Sequence, residues 1–361
     1  MKAARMTAVG KPLEIQDIPP PEIRKDNEKD DNQTIVKVKA CGICGTDLHH
    51  LSGTAKVRHL PITLGHEISG VVVEMGRAVS SGRMAVPTFR DGDHVVVNNV
   101  IFCGDCRACL RGRYNFCQNA LMFGRDVDGG LAEYVKVPAR NLIRLPENVS
   151  FPEGAVMGCA VATAYHALRI GDVEPGDSMV VWGCGGVGLS LVQLAREVSG
   201  AYPIIAVDRR DDCLQLASEL GADFTINAAN EDPVARIREI TNGDGADIVY
   251  DAAGVKDVAP SGELKTLASL CSGGELIVIA TYGAPVTVEP HDELGIFEKK
   301  FTGSCGNLPE EIEYLAELIS GKRRLDLRKL ITQMVDLEQV NDVIAKWREG
   351  KALVIRPVVC F

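Results

Sequence analysis

Apolar and polar positions change texture partway along the chain. Up to about residue 160, apolar positions come in short stretches cut by Gly and Pro: residues 35–40 alternate, and 68–74 and 94–98 are β-branched runs. This pattern predicts short strands in an antiparallel or mixed arrangement. From about residue 178, short wholly apolar runs at 179–182, 204–207, 224–226, 248–250 and 276–280 alternate with helix-length amphipathic segments. Parallel strands covered by helices on both faces read as continuous apolar runs, so this part predicts a doubly wound parallel sheet. Beyond residue 302 come two helical segments, 310–320 and 337–348, and a last apolar stretch, 352–360. These are too few for a separate domain, so 303–361 is expected to pack back on 1–160, with 161–302 between them as the parallel-sheet domain. Residues 19–33 and 80–92 are polar and breaker-rich and predict surface loops.

Composition changes the picture in three places. A charge of −10, from 39 basic and 49 acidic side chains, repels a phosphate backbone and argues against nucleic acid as partner. No apolar run approaches the roughly 20 residues that cross a bilayer, so no membrane span is expected. Residues 1–10 show no leader pattern, and a cytoplasmic protein is expected. Twelve cysteines in such a setting are thiols or metal ligands rather than a disulfide framework.

Two motifs carry chemistry. After the apolar run 179–182 comes Gly183, Cys184, Gly185, Gly186, Val187, Gly188 and then a helix-like segment to about Val198. Glycines there allow a tight turn, close approach to a pyrophosphate and close packing of helix on strand, and the helix N-terminus offers free N–H groups. The next apolar run ends in Asp208, twenty residues past Gly188, where a carboxylate accepts hydrogen bonds from a ribose. The expected ligand is NAD; a turn needed only for packing is the alternative. Asp208 disfavours a 2′-phosphate, although Arg209 and Arg210 follow it directly and a guanidinium suits one. The second motif is CGDCRACLRGRYNFC, which sets Cys103, Cys106, Cys109 and Cys117 in one loop of about 98–120. Four thiolates close a tetrahedral Zn²⁺ site with no open position; a redox pair or free thiols are the alternatives. Arg107, Arg111 and Arg113 in the loop read as solvated or subunit-facing charges on an acidic chain.

Three further segments, CGTDLH at 44–49, LGHE at 64–67 and MGCAVAT at 157–163, complete a resemblance across nearly the whole chain. In motif order it resembles the zinc-dependent medium-chain alcohol dehydrogenases. The resemblance implies a GroES-like, mostly β catalytic domain and a Rossmann domain. It implies a catalytic zinc on Cys44, His66 and Cys159, with Glu67 beside the metal, Asp47 orienting His66, and a structural zinc on the four-cysteine loop, hence two Zn²⁺ per subunit. It places Thr46 and His49 on a proton relay, Thr163 and Val187 beside the nicotinamide, and Arg356 at the pyrophosphate. Cys41 falls outside the ligand register and reads as a buried thiol; His59, His94, His166 and His291 read as structural. Thr46 could equally be a turn or helix-capping hydroxyl, and His49 has a histidine neighbour, His50. The implied reaction is reversible hydride transfer between a small-molecule alcohol and NAD. Polyol-type relatives often carry Glu where Cys159 stands. Asn98 and Asn99, however, occupy pocket-lining positions that simple alcohol dehydrogenases often fill with apolar groups. A polyol, sugar or cyclic-alcohol dehydrogenase is therefore the second reading and a catalytically silent dinucleotide-binding relative the third. The short stretch between Cys117 and Glu133 resembles tetrameric microbial forms, and 76–91 is longer than usual.

Overall fold

In the computed structural model, the described residues are 1–24, 26–80, 88–254, 264–281, 285–321, 325–350 and 353–361. Seven residues of the long 76–91 segment, 81–87, lie outside them. The chain divides into two compact units, Met1–Ala162 with Gly306–Phe361, and Thr163–Cys305.

The first unit is built around strand Gln33–Gly42, which pairs antiparallel with Glu67–Met75 on one side. On its other side it pairs with Tyr134–Pro138 and with the terminal strand Pro357–Cys360, both antiparallel. Strand Gln333–Val335 runs parallel to Pro357–Cys360, so the seven-stranded sheet is mixed. The terminal strand is shorter than the apolar run 352–360 suggests. The alternation read at 35–40 holds from Val36 on: Val36, Val38 and Ala40 are buried, whereas Lys37 is exposed and Lys39 half-buried; only Ile35 adds a second consecutive buried position. The C-terminal helix Val340–Glu349 places Val340, Val343 and Ile344, at helical spacing, in the core formed by Val36, Val38 and Ile68.

Two local features position the chemistry. Helix Gly45–Ser52 begins directly after the central strand, and Asp47 at its third position bonds back to the backbone N–H of Cys44 at 2.8 Å. Ser150 and Glu153 form a capping box that starts helix Phe151–Val156, which continues into a π-helical turn, Met157–Val161. Such single π turns interrupt helices mainly at functional sites.

The second unit is a six-stranded, all-parallel sheet in the order Phe224–Asn227, Ile204–Asp208, Met179–Trp182, Ala246–Asp251, Leu270–Val278, Lys300–Gly303. In sequence order this is 3-2-1-4-5-6, whose reversal beside the first strand opens a crevice at the strands' carboxyl ends. Val180, Trp182, Ile205, Val207, Val249 and Leu276 fill the core beneath it. The helix after the glycine loop spans Gly186–Leu194 and ends in a π turn, Ala195–Ser199, rather than running evenly to Val198.

Candidate metal centre

The sulfur of Cys44, a ring nitrogen of His66, a carboxylate oxygen of Glu67 and the sulfur of Cys159 lie within 4.8 Å of one another in the first unit. Each arrives by a different route. Cys44 is the residue before helix Gly45–Ser52, and Cys159 sits in the π turn. Asp47 joins the first two segments: its Oδ2 accepts from Cys44, while its Oδ1 accepts from the Gly65 N–H at 3.2 Å and lies 3.6 Å from His66 Nδ1. Gly65 is held at φ +91°, and a Cβ there would meet Cys41 Sγ at 2.6 Å, so the buried thiol of Cys41 packs under the histidine loop. Glu67 opens its strand opposite Gly42, where a Cβ would stand 2.2 Å from Glu67 Oε2; only glycine leaves room for the carboxylate to point inward.

The electrostatics of this cluster are incomplete. Among the described residues, neither ring nitrogen of His66 and neither carboxylate oxygen of Glu67, all buried, has a hydrogen-bond partner; the nearest opposite charges, Asp47 and Arg356, stand at 3.6 and 3.8 Å. Unpaired buried polar groups are costly, and a cation bound among these two adjacent residues would give such atoms a partner. Two thiols, an imidazole and a carboxylate are a zinc donor set, so the residues present fit that ion. The Cys159 S–H hydrogen bond and the Arg356 charge hold the Cys44 thiol well below its ordinary value, whereas donating that bond, together with burial, keeps Cys159 protonated. Burial opposes charging of His66, but the Asp47 carboxylate and the Cys44 sulfur push it well above its usual value. Burial pushes the Glu67 carboxyl up to about 7 against the pull of Arg356. Arg356, expected at a pyrophosphate, is buried here, with Nε 3.8 Å from Glu67 Oε1. Thr46 Oγ1 lies 3.7 Å from Cys44 Sγ, and the N-cap of the helix is Cys44, not Thr46. His49 is exposed; its neighbour His50 is buried, with Nδ1 3.2 Å from Ala55 O. His94 stacks against Phe151, with ring centroids 4.7 Å apart.

Cys103, Cys106, Cys109 and Cys117 form the second cluster. Three of the six sulfur separations, Cys103–Cys117, Cys103–Cys109 and Cys106–Cys117, are 3.5, 3.9 and 3.9 Å, and all six are within 4.8 Å. A tetrahedron with Zn–S bonds of about 2.3 Å has edges of about 3.8 Å, so the four thiols stand at zinc spacing. Backbone N–H groups of Cys109 and Gln118 bring the Cys106 thiol down to about 6. One side chain from outside the loop grips it. Arg140 donates from Nη1 to Cys103 O at 2.8 Å and lies 5.4 Å above the Phe102 ring, which stacks on Tyr114.

In the second unit, the glycine loop shows what each glycine does. Gly183, at φ +97°, would bring a Cβ 2.7 Å from Ala253 N, and Gly188 one 1.8 Å from Gly183 O, so both are close-packing positions. Gly185 is exposed and has nothing within 4 Å, which leaves its side open to a phosphate; Gly186 begins the helix, and Val187 follows half-buried. Asp208 Oδ2 accepts from Cys184 N at 2.7 Å, and its Oδ1 accepts from the Arg209 and Arg210 N–H groups. The Arg210 guanidinium is taken by Asp212, whereas Arg209 is exposed. Thr163 is half-buried in helix Ala162–Ile170. Sequence reasoning missed Asp251, whose buried Oδ1 accepts from the Ala253 and Gly254 N–H groups at 3.0 Å and shapes the neighbouring strand end.

Comparison with known proteins agrees with this geometry. Residues 30–147 match the alcohol dehydrogenase GroES-like domain family, and residues 186–321 the zinc-binding dehydrogenase family. The chain is 33% identical to an NAD-dependent alcohol dehydrogenase of Sulfurisphaera tokodaii, over 98% of each chain. It is 32% identical to the L-threonine 3-dehydrogenase of Bacillus subtilis, over 93% of this chain and 92% of that one. Among solved structures, a protein of Sinorhizobium meliloti 1021 described as a zinc-binding dehydrogenase, bound to NADP, superimposes with a TM-score of 0.87 at 30% identity, covering 100% of this chain and 99% of the other.

Proposed function

The chain belongs to the zinc-dependent medium-chain dehydrogenase/reductase family, and from that premise we propose that it is an NAD-linked alcohol dehydrogenase, oxidising an alcohol reversibly to an aldehyde or ketone. The observation that carries the reading is the pair of buried, unpartnered His66 nitrogens beside two thiols and a carboxylate. Zinc, when bound, supplies Lewis acidity, lowering a hydroxyl pKa as it lowers that of water from 15.7 toward about 7. Cys44, His66 and Cys159 would hold it and leave one tetrahedral position open. Asp47 fixes the His66 ring through its Nδ1 side, and Arg356 offsets the Glu67 charge, keeping that carboxylate available beside the metal. Thr46 would relay the substrate's hydroxyl proton, Oγ1 taking it up as its own hydroxyl proton is passed on toward exposed His49, which would deliver it to solvent.

Gly183, Gly185, Gly186 and Gly188 cradle the NAD pyrophosphate at the helix start, Thr163 and Val187 flank the nicotinamide, and Asp208 accepts from the ribose hydroxyls. The Asp208 charge favours NAD over NADP, while Arg209, unlike Arg210, has its guanidinium exposed and bonded to no carboxylate among the described residues. Asp208→Gly is expected to move the NADP/NAD ratio of kcat/KM upward by about tenfold or more. An unchanged ratio removes the ribose role. The four-cysteine loop would hold a second, structural zinc.

All twelve cysteines are free, which suits a reducing cytoplasm, and no helix among the described residues is long and apolar enough to cross a membrane. Exposed Leu110 and Phe116 on the cysteine loop, and Phe301 on the edge strand Lys300–Gly303, are apolar surface that subunit contacts would cover, and a homotetramer, with a homodimer as the alternative, is the assembly proposed. The test of the function is a panel of aliphatic, aromatic, cyclic and polyhydroxy alcohols followed by NADH absorbance. Zinc- and NAD-dependent oxidation is expected, and none with any alcohol refutes it.

A further inference from the structure

The first unit holds a cleft of about 460 Å³ whose lining includes no residue of either four-donor cluster. That volume lies in the range of small-molecule sites, which are mostly apolar with a few polar groups that fix orientation. Ile18, Ile101, Leu121 and Val135 supply aliphatic wall, and Pro19 and Tyr134 bring rings to it. Ile101 and Leu121 belong to the paired strands Val100–Ile101 and Leu121–Met122, from which the cysteine loop projects. Thr63, three residues before His66, lines the cleft from strand Ile62–Thr63. A ligand here touches segments that support both clusters while touching none of their donors.

Thr63 shows what the cleft lacks. Its backbone is spent, since its N–H donates to Asp128 Oδ1 at 2.8 Å and its carbonyl accepts from Gly129 N at 2.9 Å. Its hydroxyl is not: Thr63 is 1% exposed, and Oγ1 is buried with no hydrogen-bond partner among the described residues. The Gln33 amide and the Tyr134 phenol, also at the wall, make no side-chain hydrogen bond among those residues either. The charged groups of the wall are already engaged. Lys136 Nζ donates to Asp30 Oδ1 at 2.5 Å and to Glu22 O at 3.0 Å, and the Met1 amine donates to Ile18 O at 2.7 Å. Asp128, besides holding Thr63, lies 3.7 Å from Arg5 Nη1. Neutral groups in want of a partner, beside charges that have one, favour an uncharged ligand carrying a hydroxyl over an ion.

We propose that this cleft is a second small-molecule site, separate from both metal clusters, for an uncharged hydroxylated arene such as a phenol. Its ring packs on Pro19, Tyr134 and the aliphatic wall, and its hydroxyl, donor and acceptor at once, pairs with the Thr63 hydroxyl.

4-Bromophenol, 4-bromobenzoate and 4-bromobenzylammonium share a bromoarene body and differ in charge. Titrated calorimetrically into the full chain near neutral pH, the phenol is expected to bind with a Kd of about 1 mM or below, and about fivefold or more tighter than either ion. Thr63→Val keeps the shape and removes only the unpaired hydroxyl, so it is expected to weaken phenol binding about three- to tenfold and to leave the ions unaffected. Leu121→Trp fills the cleft and is expected to abolish phenol binding. Ile18→Trp fills it from another part of the wall and decides the matter should the first variant fail to fold. In crystals soaked with the phenol, the anomalous peak of bromine is expected beside Leu121. An ion that binds as tightly as the phenol overturns the ligand class, and an unchanged phenol affinity in Thr63→Val overturns the pairing with Thr63. No phenol binding, an unchanged affinity in the tryptophan variant that folds, or a bromine peak only outside the cleft overturns the site.

Discussion

Each of the two candidate metal clusters gathers four donor side chains within 4.8 Å, and both lie in the same unit, yet they are assembled in opposite ways. The four-cysteine loop collects its donors from fifteen consecutive residues, and its sulfurs find one another and nearby backbone N–H groups without outside help. The other cluster draws Cys44, His66, Glu67 and Cys159 from three separate segments and leaves the His66 and Glu67 polar atoms buried and unpaired. A loop whose donors satisfy each other stabilises the fold. A cluster that keeps unpaired groups at a buried point, with mixed sulfur, nitrogen and oxygen donors, has the chemistry to take an ion with room for a further ligand.

The largest effect should come from breaking the mixed cluster. Cys44→Ser or His66→Ala is expected to lower kcat by about a thousandfold or more while NAD binding, followed by nicotinamide fluorescence, changes little. A variant with near-normal turnover removes the catalytic role of this cluster. Cys106→Ala should do the reverse. It is expected to empty the loop of zinc and lower the thermal midpoint by about 10 °C, as calorimetry would record. If its midpoint and zinc content match the wild type, the loop is not a structural metal site.

The contrast also separates what could be read from the sequence from what could not. The cysteine loop is legible because its ligands are local. The parallel-sheet unit is legible because strands buried on both faces leave continuous apolar runs, and because Gly183 to Gly188 and Asp208 stand at fixed offsets along them. The mixed cluster was assembled only through family resemblance, since nothing local brings residue 159 to residue 66. Its supports are long-range. Gly42 makes room for Glu67 only through strand register. The burial of Arg356 against Glu67 likewise depends on the terminal strand pairing with Gln33–Gly42. The π turn that presents Cys159 has no local signature comparable to a capping box.

Smaller effects sharpen the same contrast. Asp47→Asn keeps an acceptor for only one of the Cys44 and Gly65 N–H groups, turns an amide N–H toward the other and removes the charge beside His66, so zinc affinity of the mixed cluster should fall about 10- to 100-fold or more by competitive chelator titration. Loop zinc should be unaffected; its loss as well would show that the two clusters are not independent. Arg140→Ala removes the hydrogen bond to Cys103 O and the cation over Phe102, and about tenfold faster release of loop zinc to a chelator is expected. Arg140→Lys should recover part of that rate. Release kinetics indistinguishable from the wild type would mean that the loop holds its shape without this grip.

The most direct test of the central claim is elemental zinc content per chain, measured together with turnover, for the wild type and His66→Ala. Two zinc ions in the active wild type, and one in an inactive variant whose X-ray absorption reports sulfur-only coordination, is the expected result. A single zinc in the fully active wild type, or two retained in the variant, would contradict it.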